Sequence, residues 1–172
     1  MAAFFRPTHD KGVIVMKPKN SNLGLPGLLV CLIAMLVMGG CQIAPSKMNA
    51  LLVASSDVNA DASGRAFPVV VRIYELASND AFVTADFFEL FDNESETLGG
   101  DLIAREEYEL APNEERLIRQ DLDKNTRHIG VVAAFRQIED AEWARTVQVR
   151  SRRSNRISIQ VRRSSIVITS RQ

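Results

Sequence analysis

The chain has 172 residues, with 21 Lys and Arg against 21 Asp and Glu, and only two cysteines. Four of the basic residues and one of the acidic residues lie in the first 40 positions, so residues 41–172 hold 17 basic and 20 acidic side chains. This length allows one domain with one core, and the mildly acidic balance gives no case for bulk binding to nucleic acid.

The amino-terminal segment has the order of a secretory signal. Lys17 and Lys19 precede an apolar run from Leu28 to Met38, and the small pair Gly39-Gly40 follows. The run is shorter than the about 20 apolar residues that a membrane-spanning helix needs. We therefore predict that residues 1–40 are a signal peptide. The alternative is a short apolar anchor.

The length of the signal peptide also predicts where translation starts. A signal peptide of 40 residues exceeds the usual range of about 15–30 residues. A start at Met16 gives a signal of ordinary length. We therefore predict that the true start is Met16.

The cysteine after the small pair is part of a further motif. The segment from Leu36 to Cys41 resembles the lipobox of bacterial lipoproteins, although Met38 stands where that pattern prefers Leu. The resemblance implies that the Cys41 thiol receives a diacylglycerol, that a peptidase cuts just before it, and that residues 41–47 are a lipidated tether. In such lipoproteins Asp after the cysteine favours retention in the inner membrane. Gln42 therefore implies sorting to the periplasmic face of the outer membrane.

Residues 48–172 have the pattern of a β-domain. Met48 to Ser55 is a plausible first strand, and the polar and small residues from Asp57 to Phe67 predict a loop, longer than the usual hairpin connection of about 2–5 residues. Pro68 to Leu76 is the strongest strand, because it is rich in β-branched residues and begins with proline. Its nearly continuous apolar character predicts cover on both faces.

Next, the period changes from that of a strand to that of a helix. Asp86 and Glu89 have the spacing of a capping box, and Phe87 and Phe91 lie one helical turn apart. This pattern predicts a short helical insertion near residues 78–92 with an aromatic face.

Alternating strands follow the insertion. In Leu102 to Leu110 the alternation predicts one apolar face, made of Leu102, Ala104, Tyr108 and Leu110. Further strands are predicted at residues 115–122, 128–136, 143–149, 157–161 and 166–169. About seven or eight short strands separated by turns predict an all-β, antiparallel sandwich or barrel.

The sequence offers no catalytic constellation, so we predict that the protein is not an enzyme. His128 is the only histidine after residue 40, and it opens a predicted buried strand. Without a second histidine or a thiolate we predict no metal site, and no cofactor apart from the covalent lipid on Cys41. The pairs Glu106-Glu107 and Glu114-Glu115 point their side chains to opposite faces.

The end of the chain is strongly basic. No acidic residue follows Glu142, whereas eight arginines do. We interpret these arginines as solvent-facing strand positions. The alternative is that they lie near anionic head groups.

Several longer motifs carry a resemblance to a known family. In order, the chain contains GRAFPVVVRIYEL, FVTADFFELFD, LIAREEYELAPNE and HIGVVAAFR after the lipobox. This series resembles the outer-membrane lipoprotein of the bacterial type VI secretion apparatus, the TssJ (VasD/SciN) family. The resemblance extends to about Val149.

The resemblance implies a transthyretin-like β-sandwich with a small helical insertion, and a role. In that family the lipoprotein binds the periplasmic domain of TssM. These two proteins and TssL together form the membrane complex that anchors the contractile tail. The family's partner-binding element is the loop between the first two strands. Here that loop comprises Asp57, Val58, Asn59, Ala60, Asp61, Ala62, Ser63, Gly64, Arg65, Ala66 and Phe67.

Other interpretations of the same residues stay open at this point. The loop could be a disordered connector. The chain could be a periplasmic pilot or chaperone lipoprotein of another envelope machine, using the same sandwich as a binding module. An envelope hydrolase is disfavoured, because the sequence lacks a nucleophile and a base.

Overall fold

A computed structural model describes residues 45–171. The predicted signal peptide, Cys41 and Gln42 lie outside the described residues. Within them, eight strands form two four-stranded sheets, which confirms the predicted β-sandwich with a helical insertion. No helix in residues 45–171 is long and apolar enough to cross a membrane.

The strands and helices follow the predicted order. Before the insertion come β1 (Ser46–Ala54) and β2 (Val69–Leu76). The insertion holds α1 (Asp80–Thr84), α2 (Phe87–Asp92), α3 (Glu94–Leu98) and a 3₁₀ turn (Gly99–Asp101), so it extends nine residues beyond the predicted end at residue 92. After it come β3 (Leu102–Leu110), β4 (Glu115–Leu122), β5 (His128–Ala134), β6 (Ala144–Gln148), β7 (Ser154–Val161) and β8 (Ile166–Arg171).

The sheets have the strand orders β4-β1-β7-β8 and β3-β2-β5-β6. We call them sheet I and sheet II. Five of the described strand pairs are antiparallel, as predicted, and β1 pairs parallel with β7. Strand β1 lies between β4 and β7, two strands that come much later in the chain.

The core lies between the two sheets. On β1 the inward residues are Met48, Ala50, Leu52 and Ala54, all at most 2% exposed, as the period of two along a strand requires. Phe135 directly follows β5 and packs into the same cluster, where it is 6% exposed. Phe135 is therefore a core residue between the sheets.

One predicted face is wrong. Tyr108 and Leu110 of β3 pack into the core between the sheets, but Leu102 packs on the opposite side of sheet II, with the helices. A register shift between Glu75 and Leu76 causes this, because Glu75 pairs with Ala104 whereas Leu76 pairs with Leu102. The extra residue in β3 moves Leu102 to the other face.

The helical insertion covers the outer face of sheet II. Asp86 and Glu89 form the predicted capping box at the start of α2, and the rings of Phe87 and Phe91 stack with centroids 5.1 Å apart. Phe82 of α1 and Tyr74 of β2 are almost fully buried in the cluster beneath the helices. The predicted cover on both faces of β2 is therefore confirmed.

Ion pairs and hydrogen bonds join this insertion to the sheet. Arg105 of β3 lies with Nε 3.0 Å from Oε1 of Glu94 in α3, and the guanidinium of Arg72 in β2 stacks 3.7 Å from the centre of the Phe91 ring. Tyr74 donates a hydrogen bond from its hydroxyl to the Leu90 carbonyl oxygen at 3.0 Å. Burial raises the pKa of Tyr74 to about 12, so the phenol keeps this proton at neutral pH.

Candidate functional site

The loop from Asp57 to Phe67 lies at the end of the sandwich away from the start of the described chain. Strand β1 runs nine residues from Ser46 to Ala54 and then enters the loop. At about 3.3 Å per residue, the loop is about 30 Å from Ser46 along the strand direction. The fold therefore separates the tether end of the domain from the loop.

The first part of the loop belongs to the core. Val58 is fully buried, and Asn59 and Ala60 are 5% and 8% exposed. Asn59 has φ of 51°, in the left-handed region that asparagine tolerates better than most residues. Its amide donates to the Pro68 carbonyl oxygen and accepts from the Arg136 backbone N–H, both at 2.8 Å.

This anchoring corrects one part of the sequence analysis. The eleven residues were predicted as a single partner-binding loop, but three of them are inside the domain. Val58, Asn59 and Ala60 position the loop and offer almost no surface to a partner. Asp57 is exposed as well, and the continuous accessible part is the tip, which we define as residues 61–67.

Hydrogen bonds within the tip fix its shape. Asp61 Oδ1 accepts from the Ser63 hydroxyl at 2.6 Å and from the backbone N–H groups of Ser63 and Arg65 at 2.9 and 3.0 Å. The Gly64 N–H donates to the Asp61 carbonyl oxygen at 2.9 Å, and Gly64 takes φ of 83°. A side chain at that φ is strained, so glycine suits the turn. The tip is a structured turn and not a disordered connector.

Cationic side chains surround the aromatic ring that closes the tip. The guanidinium of Arg65 lies 4.9 Å from the centre of the Phe67 ring, and that of Arg136 lies 4.4 Å from it. These are distances at which a cation and a ring attract each other. Ala62, Ser63, Gly64 and Arg65 are exposed around this pair of contacts.

Two carboxylates belong to the loop, Asp57 at its start and Asp61 at the start of the tip. The hydrogen bond from Ser55 lowers the pKa of Asp57, and Arg163 lies 3.5 Å from the same carboxylate. The hydrogen bonds from Ser63 and the Arg65 backbone lower the pKa of Asp61. Both carboxylates are therefore ionised at neutral pH.

The carboxylate pair Glu106-Glu107 of β3 does not converge on a common site. Glu107 lies in the ion pairs of sheet II, whereas Glu106 accepts a hydrogen bond from Tyr108, so the pair Glu106-Glu107 points to opposite faces as predicted. Within residues 45–171, no group of three or more His, Cys, Asp or Glu is placed to hold a metal ion.

Comparisons with known proteins decide the family. A family model described as "Type VI secretion lipoprotein, VasD, EvfM, TssJ" matches residues 46–164, which is more than half of the chain. This chain belongs to the type VI secretion lipoprotein family. The TssJ family is one of structural, membrane-anchored lipoproteins and not a known enzyme family. No curated protein sequence matches the chain in a direct comparison.

Solved structures agree with the TssJ assignment. The crystal structure of the T6SS lipoprotein TssJ1 from Pseudomonas aeruginosa is 39% identical, with a TM-score of 0.72, and the match covers 74% of this chain and 98% of that chain. A chain in a structure titled "Type VI membrane complex" is 26% identical, with a TM-score of 0.64, covering 73% and 98%. A chain in a structure titled "T6SS protein TssM C-terminal domain (869-1107) from EAEC" is 25% identical, with a TM-score of 0.60, covering 72% and 97%.

Sequence reasoning missed two residues of this TssJ loop. Arg136, in the β5–β6 connection, and Arg163, in the β7–β8 turn, contact the loop through Phe67 and Asp57. Both come from distant parts of the chain. Only the folded topology brings them to the loop, and no local motif marks them.

Proposed function

We propose that this chain is the outer-membrane lipoprotein subunit of a type VI secretion membrane complex. In this proposal the lipid on Cys41 holds the protein at the periplasmic face of the outer membrane, and Gln42 permits its sorting there. The tip binds the periplasmic domain of TssM, and TssL belongs to the same complex. Neither Cys41 nor Gln42 lies within the described residues.

The shape of the tip carries this proposal. Asp61 and Gly64 fix a turn whose exposed residues stand clear of the core, at the opposite end of β1 from the tether. A rigid loop loses little conformational entropy when it binds, which favours affinity. A lipid at one end and a binding loop at the other suit a protein that joins a membrane to a periplasmic partner.

The comparisons support a TssM partner in particular. One matching structure carries TssM in its title, and another is named as a type VI membrane complex. The structural match includes almost the full length of the matching chain in each of these two structures. TssM is therefore the partner against which the tip is tested first.

The test replaces only the exposed part of the tip. The variant carries Ala62→Gly, Ser63→Gly and Arg65→Ser and keeps Gly64, so the loop length and the anchoring residue Asn59 stay unchanged. We expect thermal unfolding close to that of the native lipoprotein and loss of binding in a titration with the purified TssM periplasmic domain. The control is Lys124→Ser with Asn125→Gly, in an exposed turn at the other end of the sandwich.

The two readouts separate the outcomes. Loss of binding in a folded tip variant, with native affinity in the control, supports the proposal. A folded tip variant that binds with native affinity excludes the side chains of residues 62–65 as the contact. The next surface to test is then the insertion around Phe88, which is 62% exposed.

A further inference from the structure

A row of arginines crosses the outer face of sheet I. In the strand register, Arg119 of β4 and Arg156 of β7 both lie opposite Asn49 of β1, and Arg171 of β8 lies opposite Arg156. The directly adjacent residues Met48, before Asn49, and Ile157, after Arg156, point into the core. The three arginines therefore share the solvent side of the sheet.

An apolar pair lies beside this row. Leu51 and Leu117 are direct cross-strand partners, and they are 39% and 54% exposed on the same face. A single concave surface is lined by both leucines together with Arg119, Arg156 and Arg171. We call this surface, defined by these five residues, the basic face.

The charge of the basic face is not balanced within the domain. Among residues 45–171, no carboxylate lies within 4.0 Å of a charged nitrogen of Arg119, Arg156 or Arg171. The nearby Asp121 pairs with Lys47 at 3.9 Å. Like charges placed directly opposite across two strands, as in Arg156 and Arg171, destabilise a sheet. An external anionic surface would relieve this repulsion.

The basic face lies toward the tether end of the sandwich. Asn49 is the fourth residue of β1, and the exposed Arg152 and Arg153 stand in the turn that precedes β7 at the same end. Lys47 pairs with Ser154, the first residue of β7. Whatever its conformation, the chain from Cys41 to Ser46 spans at most about 18 Å. A lipid on Cys41 therefore keeps this end near a bilayer.

We propose that the basic face binds the anionic phospholipid head groups of the membrane in which the protein is anchored. This inference rests on the proposed lipid anchor at Cys41. The arginines pair with head-group phosphates, and Leu51 and Leu117 contact the interface between head groups and acyl chains. Docking through this face also fixes the orientation of the domain relative to the membrane.

The experiment uses the full lipoprotein, purified with its own acyl anchor and reconstituted into vesicles. Thr169→Cys places a label on the exposed side of β8, beside the basic face; both natural cysteines lie at or before residue 41, so the new thiol is the one free thiol if Cys41 is acylated. A fluorophore there is tested for protection from an aqueous quencher. The vesicles contain phosphatidylcholine alone or mixed with phosphatidylglycerol, and flotation reports whether the lipoprotein is anchored.

The expected result has three parts. The lipoprotein floats with both kinds of vesicle, because the acyl anchor does not depend on head-group charge. The label is protected only in vesicles with phosphatidylglycerol, and salt removes the protection. Each arginine near an anionic surface contributes roughly fivefold, so Arg119→Gln, Arg156→Gln and Arg171→Gln together reduce the docking equilibrium constant by about 100-fold.

Two controls test whether docking depends on the basic face in particular. Arg116→Gln, Arg145→Gln and Arg162→Gln remove the same charge elsewhere, and docking should persist. A label at Ser95→Cys, on the exposed side of α3, should be quenched in every vesicle.

Other results overturn the proposal. Equal quenching at Thr169→Cys in both vesicles, with the protein floating, rejects docking but leaves the anchor intact. Flotation with neither vesicle rejects the anchor and the docking that depends on it. Protection that appears only after a soluble periplasmic protein is added assigns the face to a protein and not to lipid.

Discussion

The ring of Phe82 packs directly against the backbone of Gly130. A Cβ atom built on Gly130 would lie 2.7 Å from Phe82 Cε2 and 3.1 Å from Leu76 Cδ1. Phe82 comes from the helical insertion and Gly130 from the middle of β5, so the missing side chain lets the insertion approach the sheet.

We predict that Gly130→Ala destabilises the domain. Phe82 is 2% exposed and packs edge-on against Tyr74, so it cannot move away without opening the cluster. Overpacking of this kind costs about 1–3 kcal/mol, measured as the free energy of unfolding in urea. Gly100→Ala is the matched control, because nothing lies within 4 Å of a Cβ there. Equal stability of both variants contradicts the packing described.

The core between the sheets gives a second prediction. Phe135→Ala removes a large side chain that is 6% exposed, and should lower the free energy of unfolding by about 3–5 kcal/mol. Phe88→Ala removes the same atoms from a position that is 62% exposed, and should cost less than about 1 kcal/mol. A loss under about 1 kcal/mol at Phe135 would show that this ring is not a core residue.

Local patterns predicted much of this fold, because local chemistry sets them. Asp86 and Glu89 satisfy the amide groups at a helix start whatever surrounds them, so their spacing alone placed α2. The period of two placed most strand faces. It failed at Leu102, because the register shift beside Glu75 depends on pairing with another strand.

The candidate site shows the same limit. A polar run predicted a loop after β1, but its division into the buried Asn59 and the exposed tip depends on hydrogen bonds to Pro68 and Arg136. The parallel pairing of β1 with β7 joins residues more than 100 positions apart, such as Lys47 and Ser154. No local pattern reports a contact over such a separation.

Gln42 gives a prediction about sorting. Gln42→Asp should shift the lipoprotein from the outer-membrane to the inner-membrane fraction on a density gradient, since Asp after the lipidated cysteine favours inner-membrane retention in lipoproteins that this segment resembles. Cys41→Ser is the control, and should abolish labelling with a radioactive fatty acid. If the Gln42→Asp variant and the native protein sediment alike with outer membranes, residue 42 does not direct sorting.

The last prediction concerns the pH dependence of the tip. The Asp61 carboxylate accepts hydrogen bonds from the backbone N–H groups of Ser63 and Arg65, and these contacts lower its pKa from the ordinary value of 3.8. A carboxyl whose pKa is lower in the folded loop stabilises that loop fully above the ordinary value. The stabilisation is lost as the pH falls through the lower, folded-state pKa. We therefore expect the tip to stay ordered from neutral pH down to about 4, and to open below that.

The amide proton shifts of Ser63 and Arg65, followed by NMR, measure this transition. Asp61→Asn keeps an acceptor oxygen but cannot titrate, so its tip should lose the acid transition while the amides stay hydrogen-bonded. Asp61→Ala removes the acceptor, so both amides should exchange rapidly with solvent at every pH, and binding of the TssM periplasmic domain should weaken at unchanged thermal stability. An acid transition that persists in Asp61→Asn would assign the titration to another group, with Asp57 as the first alternative, because its pKa is lowered as well.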